Sequence, residues 1–424
     1  MLDIIYTGSV CTLIFVYAWS LYNLPILAAG VRNLRGSKKK PENKPGKMEL
    51  PFFSIIVPVK NEERVIGRLL NALSKLDYPA HKTEIIIVED GSTDKTVDIC
   101  EKFAEEKKLE IKILHKSLSN GKPSALNYGL MHSKGDIIGV FDADNVPAAD
   151  ALANVCKYFE NSEVAAVQGR TSSINSQENM LTRFISHEET VWCEAYLRGK
   201  DALKLFVHLK GSCEFIRRKV LENLEGFDEA YLADDMEFSA RLTRGGYKIR
   251  YASDVRSWQE SPSNLKQLFK QRTRWFRGTM QVALRYGRLM SRPTMLRFDA
   301  ELTLFGPLIL IASLVTYFSA FFSAFAPVSL SFLPQLILQL TVVLSTGTML
   351  ACGLALIYAS KPRNAKSLLW LPFIYFYWSL QAFIAFYAAG LILLRRPQKW
   401  VKTDKNGFTD SLSVGAKDVQ YESE

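Results

Sequence analysis

A chain of 424 residues with a net charge of +10 is long enough for two or three folding units. Its six cysteines, at positions 11, 100, 156, 193, 213 and 352, include no CxxC pair. That argues against a zinc framework or a disulfide scaffold and fits a domain facing the cytosol. The lysines and arginines cluster beside apolar spans, where they act as topology signals and lipid-headgroup contacts, which excludes nucleic acid as the favoured partner.

The run Ile4–Ala29 is apolar and long enough to cross a bilayer, which takes about 20 residues. Asp3 stands where a signal peptide would carry its basic region. Residues 32–47 follow with seven Lys or Arg and one Glu, which predicts a cytosolic domain after this span and an external N-terminus. Phe53–Val59 reads as a buried strand. Val65, Ile66, Leu69, Leu70, Leu73 and Leu76 then recur at helical spacing. Further strands are predicted at Glu84–Glu89, Ile111–Leu114, Ile137–Phe141 and Val164–Val167, with helices between them; Pro123 opens one of these. Strand and helix in alternation predict a parallel, doubly wound sheet. Its ligands belong outside the carboxyl ends of the strands.

From Ser261 to Phe298 the chain carries nine basic residues and no acidic one. Three apolar spans follow, at about 302–326, 332–359 and 368–394, each long enough for the bilayer. One span before the soluble domain and three after it put the tail outside. Arg395, Arg396, Lys399 and Lys402 put it inside, so the two criteria conflict. From Thr403 the chain is polar and reads as loose.

The residues at the strand ends carry the chemistry. Phe141-Asp142-Ala143-Asp144 sets two carboxylates two residues apart. On extended backbone they share a side, and a divalent cation, Mg²⁺ or Mn²⁺, would relieve their repulsion. The alternative is a solvated turn before Pro147. The first strand gives no GxGxxG and the chain no GxxxxGK[ST], so a dinucleotide oxidoreductase or P-loop enzyme is not indicated. Asn61-Glu62 and Asp90 instead offer acceptors for a base or ribose. Asp90 could equally cap the next helix, as could Ser92 or Thr93. Lys122 brings a cation to the same crevice, or is plain surface charge. The pair Asp234-Asp235, bordered by apolar residues, suits a general base, or caps the helix read over Met236–Leu242. On one helical face Gln271, Arg274 and Trp275 combine a phosphate-binding fork with an indole for a sugar ring. An interfacial lipid-binding helix has the same pattern.

Four elements in order, Glu89-Asp90-Gly91-Ser92, Asp142-Ala143-Asp144, Ala233-Asp234-Asp235 and Gln271-Arg272-Thr273-Arg274-Trp275, resemble the membrane-bound, processive, inverting glycosyltransferases of family 2 with a GT-A fold. These include cellulose, chitin, hyaluronan and poly-N-acetylglucosamine synthases. The resemblance covers residues 50–280 closely. It implies an α/β, Rossmann-like, mostly parallel GT-A domain in the cytosol plus an α-helical transmembrane domain. The implied divisions are a spanning helix (1–31), a basic linker (32–50), the GT-A domain (51–260), amphipathic interface helices (261–300), three spanning helices (301–395) and a polar tail (396–424). It implies a hexosyltransferase that uses a UDP-sugar to build and export a β-linked polysaccharide at the plasma membrane.

The roles it implies are as follows. Pro58, Glu62, Asp90, Lys122 and Asp142 bind the nucleotide-sugar, while Asp142 and Asp144 hold Mg²⁺ or Mn²⁺. Asp235, beside Asp234, is the base. Gly211, Ser212 and Cys213, in the stretch Gly211-Ser212-Cys213-Glu214, lie in the loop beneath the acceptor, and Gln271, Arg274 and Trp275 line the path to the channel. A glycan or lipid-linked acceptor, membrane lipids and accessory export subunits are the implied partners. Two departures stand out: Glu89-Asp90 replaces the commoner Asp-Asp, and Ala-Asp-Asp the commoner Thr-Glu-Asp. Two rivals remain: transfer of a single sugar to a membrane lipid, and a non-catalytic sugar-binding scaffold.

Overall fold

The computed structural model describes residues 2–36, 49–107, 110–116, 118–287, 294–325, 347, 350–351, 369, 371–397, 403 and 405–408. The chain divides into two compact units: Met1–Gly36, Thr190–Lys204 and Phe269–Gln398 form one, and Ser37–Glu189, Leu205–Leu268 and Lys399–Glu424 the other.

In chain order, α1 (Leu2–Gly36) opens the first unit. The second begins with β1 (Phe53–Val59), α2 (Ile66–Leu73), β2 (Thr83–Glu89), α3 (Thr96–Lys107), β3 (Ile111–His115), α4 (Lys122–Met131) and β4 (Ile137–Val140). It continues through β5 (Val146–Pro147), α5 (Ala151–Phe159) and β6 (Val164–Ser173). Then α6 (Met180–Val191) ends the stretch, and a π-helical turn (Trp192–Leu197) and α7 (Arg198–Ala202) lead through the first unit. The chain returns as β7 (Glu214–Arg217), α8 (Arg218–Asn223), α9 (Asp234–Arg244) and β8 (Lys248–Gln259). Lastly come α10 (Leu265–Tyr286), α11 (Met295–Leu304), α12 (Gly306–Phe325) and α13 (Leu371–Leu393).

The sheet of the second unit has eight strands in the order β3-β2-β1-β4-β7-β6-β8-β5. Strands β3, β2, β1 and β4 are parallel, as the alternation predicts. The Ile and Val runs of β2, β1 and β4 are buried on both faces, the pattern of a strand covered by helices on each side. One such cover is α2, which turns Ile66, Leu69, Leu70 and Leu73 into the core with Phe53, Ile55 and Val57. The sheet is mostly parallel, as the resemblance implies, but the alternation of strand and helix does not hold throughout it. β7 runs antiparallel to both β4 and β6, and β5 antiparallel to β8. The chain re-enters the sheet through a reversal at Gly211–Cys213, where Gly211 and Cys213 have φ of 76° and 51°, and this fixes the direction of β7. Strand β6 reaches Ser173, well past the predicted Val167, because β8 pairs with it along most of its length.

Pro58 is tolerated near the end of β1 for a geometric reason. β1 pairs with β4 only as far as Ile56 and Val140, whereas Val59 turns its carbonyl toward the β2 side and accepts the Asp90 N–H. By alternation, the missing N–H of Pro58 would face past the end of β4.

In the first unit, α1 and the segment Trp192–Ala202 touch backbone to backbone. A Cβ on Gly30 would collide with the Ala195 carbonyl, and one on Gly199 with that of Ile26. Beneath this contact Lys200 pairs with Asp299 at 2.9 Å, and both are buried. Tyr22 donates to the other Asp299 oxygen at 3.1 Å, and Lys200 donates to Thr303 at 2.6 Å. Among the described residues two helical stretches, Cys11–Leu34 and Phe376–Leu393, are long and apolar enough to cross a membrane. The expected span at 332–359 lies outside the described residues apart from Gly347, Leu350 and Ala351.

Candidate active site

Strands β2, β1 and β4 run in one direction, so their carboxyl ends share one edge of the sheet. Asp90 follows β2 there, 4% exposed. Its Oδ2 accepts the Ser119 hydroxyl at 2.8 Å and the Gly121 N–H at 3.2 Å, and Lys116 approaches Oδ1 at 3.4 Å. A cleft of about 310 Å³ opens beside it, lined by Lys60, Asp90, Ser119, Asn120 and Gly121. Lys60 donates to Ser119 at 2.7 Å. Asp90 does not cap α3. That task falls to Asp94, whose Oδ1 accepts the Thr96 N–H at 3.0 Å. Ser92 and Thr93 are used elsewhere, in bonds to Asn61. Of the five residues expected to bind a nucleotide, Asp90 alone lines this cleft. Pro58 lies within β1, and Glu62 sits in the turn after it, its N–H donating to Thr96 at 2.7 Å.

Asp142 and Asp144 follow β4, but the backbone between them is not extended. The Asn145 N–H donates to the Asp142 carbonyl at 3.0 Å and closes a turn. The two aspartates therefore do not share a side by strand alternation, and each meets its own cation. Lys122 Nζ lies 2.5 Å from Asp142 Oδ1, and Lys405 Nζ lies 2.6 Å from Asp144 Oδ2. The turn is not a solvated one either, since Asp144 is 5% exposed. Burial opposes its charge, but Lys405, the Glu260 N–H and Arg68 outweigh burial and hold its carboxyl below the ordinary range. Burial likewise opposes the charge on Lys122, and Asp142 and Asp234 overcome it, raising its pKa. Lys122 is thus part of the site rather than surface charge. The Asp142 N–H donates to Ser212 Oγ at 3.0 Å and Asn145 Oδ1 at 3.1 Å, and the Ser212 hydroxyl in turn donates to Asn145.

The loop Gly211–Cys213 joins this arrangement to the predicted base. Lys122 donates to the Gly211 carbonyl at 2.6 Å. A Cβ on Gly211 would stand 3.3 Å from Lys122 Nζ and 3.3 Å from Asp235 Oδ2. Glycine suits the φ here, and a Cβ would press on both side-chain ends. Asp234 and Asp235 occupy the first turn of α9, whose N-cap position is Ala233. Neither aspartate is the cap. Both stand where the helix dipole favours a negative charge.

Residues beyond the sequence reading complete the site. Within the polar tail expected to be loose, Lys405 is held at Asp144. Asn406 and Gly407 donate their N–H groups to the two Glu260 oxygens at 2.6 and 3.1 Å, and Lys405 also donates to the Glu260 carbonyl at 2.6 Å. Arg68 reaches the Phe408 and Asp144 carbonyls at 3.2 Å each and lies 3.6 Å from Glu260. The one local signal was Gly407, which takes a φ of 71°.

Gln271, Arg274 and Trp275 belong to the first unit, on α10. There the Arg272 guanidinium stacks over the Trp275 ring at 4.5 Å, and Arg272 donates to the Tyr377 hydroxyl at 3.2 Å. Trp275 keeps 36% of its surface exposed.

Residues 51–278 match the model of the family described as glycosyltransferase like family 2. A probable glycosyltransferase, YdaM, of Bacillus subtilis is 35% identical over 65% of this chain and 66% of its own length. A beta-monoglucosyldiacylglycerol synthase of Nostoc is 35% identical over 58% of this chain and 53% of its own length. The chain thus spans about half to two thirds of the length of these curated relatives. A mannosyltransferase of Pyrobaculum calidifontis, solved with GDP-Man and Mn²⁺, superposes over 92% of this chain and all of its own, with a TM-score of 0.60 at 23% identity. That likeness is one of fold, and with the mixed sheet it identifies the second unit as a Rossmann-like GT-A domain. The family model covers more than half of the chain, and the chain belongs to the glycosyltransferase like family 2.

Proposed function

We propose that this chain is a hexosyltransferase that moves a sugar from a UDP-sugar to a hydroxyl of a membrane-held acceptor, inverting the anomeric configuration. The carrying observation is the position of Gly211. One missing side chain leaves Lys122, bound to Asp142, and the Asp235 carboxylate equally close to the same point. A donor phosphate at the first and an acceptor hydroxyl at the second would meet there.

In this reading Asp90, with Lys60, Ser119, Asn120 and Gly121, receives the uracil or ribose. Pro58 and Glu62 shape the rim. Asp142 and Asp144 are the candidate metal ligands. Among the described residues no cluster of three metal-binding side chains occurs, yet Mg²⁺ commonly takes one or two carboxylates together with substrate phosphates. Each of these aspartates faces its own ammonium group, so a divalent ion would bind here by taking over one of those contacts, with the donor's phosphates completing its ligands. Bound there, Mg²⁺ or Mn²⁺ would neutralise charge building on the departing diphosphate. Asp235 takes the proton of the acceptor hydroxyl while its oxygen bonds to the anomeric carbon. The bond from that carbon to the diphosphate oxygen breaks, and its electron pair leaves with the nucleotide. Gly211, Ser212 and Cys213 form the floor on the acceptor side. Gln271, Arg274 and Trp275 contact the acceptor or product, and the catalytic unit faces the cytosol.

The relative that glucosylates diacylglycerol supports a lipid acceptor carrying a single β-linked sugar. Purified chain in lipid vesicles, offered UDP-sugars and GDP-sugars one at a time with Mg²⁺ or Mn²⁺, tests the reading. A monoglycosylated lipid is the expected product, by mass spectrometry. A long glycan would instead support a polysaccharide synthase with its export partners. No release of nucleotide from any donor would sink the catalytic reading and favour a sugar-binding scaffold.

A further inference from the structure

Glu214 is the first residue of β7, in register with Val140 of β4 and Gln168 of β6, and it is 0% exposed. Its Oε2 accepts the Gly211 N–H at 3.0 Å, closing the reversal that leads into the strand. Its Oε1 is buried and has no hydrogen-bond partner among the described residues. The charged groups that face it are Lys122 from α4 and Asp234 and Asp235 from α9, with Asp142 reached through Lys122. The family resemblance includes this position only as the last residue of the loop beneath the acceptor and assigns its carboxyl group no task. Its chemistry is unusual for a strand residue in a closed core.

We propose that Glu214 is a positioning residue for the transfer reaction: it fixes the Gly211 reversal and decides whether Lys122 stays committed to Asp142. This rests on the reading given under Proposed function. The geometry favours a neutral carboxylic acid. A buried carboxylate with one unpaired oxygen, close to two aspartates, would be costly as an ion. Burial and then Asp235 push its pKa up to about 8, against the pull of Lys122. While Glu214 is neutral, the Lys122 ammonium divides its bonds between Asp142 Oδ1 and the Gly211 carbonyl, at 2.5 and 2.6 Å. Once Glu214 ionises, a second carboxylate, this one buried, competes for that ammonium. Lys122 then leaves the diphosphate side, and the Gly211 reversal loses the group that holds its carbonyl.

Two measurements separate this role from a merely structural one. The first is the rate of nucleotide release against pH. The wild type should lose rate above about pH 8. Glu214→Gln keeps the acceptor for Gly211 and cannot ionise, so it should support transfer and stay level through that range. Glu214→Ala should lose about tenfold or more in kcat at every pH, with a much smaller change in the KM for the donor. An alkaline fall that persists unchanged in Glu214→Gln, or a Gln variant as impaired as the Ala variant, would overturn the proposal.

The second measurement is thermal stability without substrate, which needs no activity. In the unfolded chain Glu214 ionises at its ordinary value of 4.5, and in the folded chain near 8. Between these values the unfolded state releases a proton that the folded state keeps, so wild-type stability falls as pH rises. The Gln variant lacks that loss. Its advantage in Tm should widen from pH 4.5 to pH 8 and then hold constant. A gap that does not change with pH would overturn the assignment even if the enzyme proved inactive on every donor tried.

Discussion

Asp235 and Asp144 sit in opposite surroundings, and their variants should fail differently. Asp235 is half-buried in the first turn of α9, where its Oδ1 accepts the Met236 N–H at 2.7 Å. Asparagine preserves that bond and removes the basic oxygen. Asp235→Asn should cost about 10²- to 10⁴-fold in kcat, the usual worth of a general base. UDP affinity by calorimetry should stay within about twofold of wild type, and an equal loss of UDP binding would count against the base. Asp144 carries no comparable freedom, because Lys405, the Glu260 N–H and Arg68 converge on it. Asp144→Asn removes the charge that holds Lys405. Trypsin should then cut after Lys405 sooner than in the wild type, in a time course read by mass spectrometry. Unchanged protection would mean that Glu260 and Arg68 secure the segment without Asp144. The sequence displayed the carboxylates but not these partners. Asp142-Ala-Asp144 looked like one shared cation site on extended backbone, whereas the Asn145 turn gives each aspartate its own lysine.

At the scale of elements, the strands up to β4 were legible almost residue by residue. Each is a short Ile- and Val-rich run that ends in turn residues and precedes a helix, a local pattern that local sequence can carry. The direction of β7 was not legible. Glu214-Phe-Ile-Arg217 is too short to show a period, and its orientation depends on its insertion between β4 and β6. Phe215 is the anchor of that insertion. Its ring meets Phe53 and Phe141 edge-to-face, with centroids 6.2 and 5.8 Å apart. Phe215→Ala should therefore destabilise the unit by about 3–5 kcal/mol in denaturant titration, and Phe215→Leu by clearly less. Equal losses would mean that cavity volume is not what the ring supplies. In the first unit the corresponding element is the backbone contact of Gly199 with Ile26. Gly199→Val must push α1 away from α7 and should lower Tm, whereas Gly306→Ala, with open space around it, should not.

For the whole molecule, the apolar stretches Cys11–Leu34 and Phe376–Leu393 predict membrane association by insertion rather than by charge. The chain should remain in the membrane fraction at high salt and alkaline carbonate and be released by detergent; release by salt alone would leave only its basic surface as the tether. The sequence by itself determined the periodic content of this protein. It displayed the alternating strands and helices, the apolar runs, the carboxylates at the strand ends and the four motifs that resemble family 2 glycosyltransferases. These are local signals, carried by neighbouring residues. Only the tertiary structure decided that the sheet is mixed, that Asp94 rather than Asp90 caps α3, that Lys405 reaches Asp144, and that Glu214 is sealed beside Asp235. Apart from the Asp94 cap, a bond to Thr96 two residues on, each depends on residues far apart in the chain. A side chain's charge, partners and solvent exposure are set by what the fold brings beside it, and no local pattern records that.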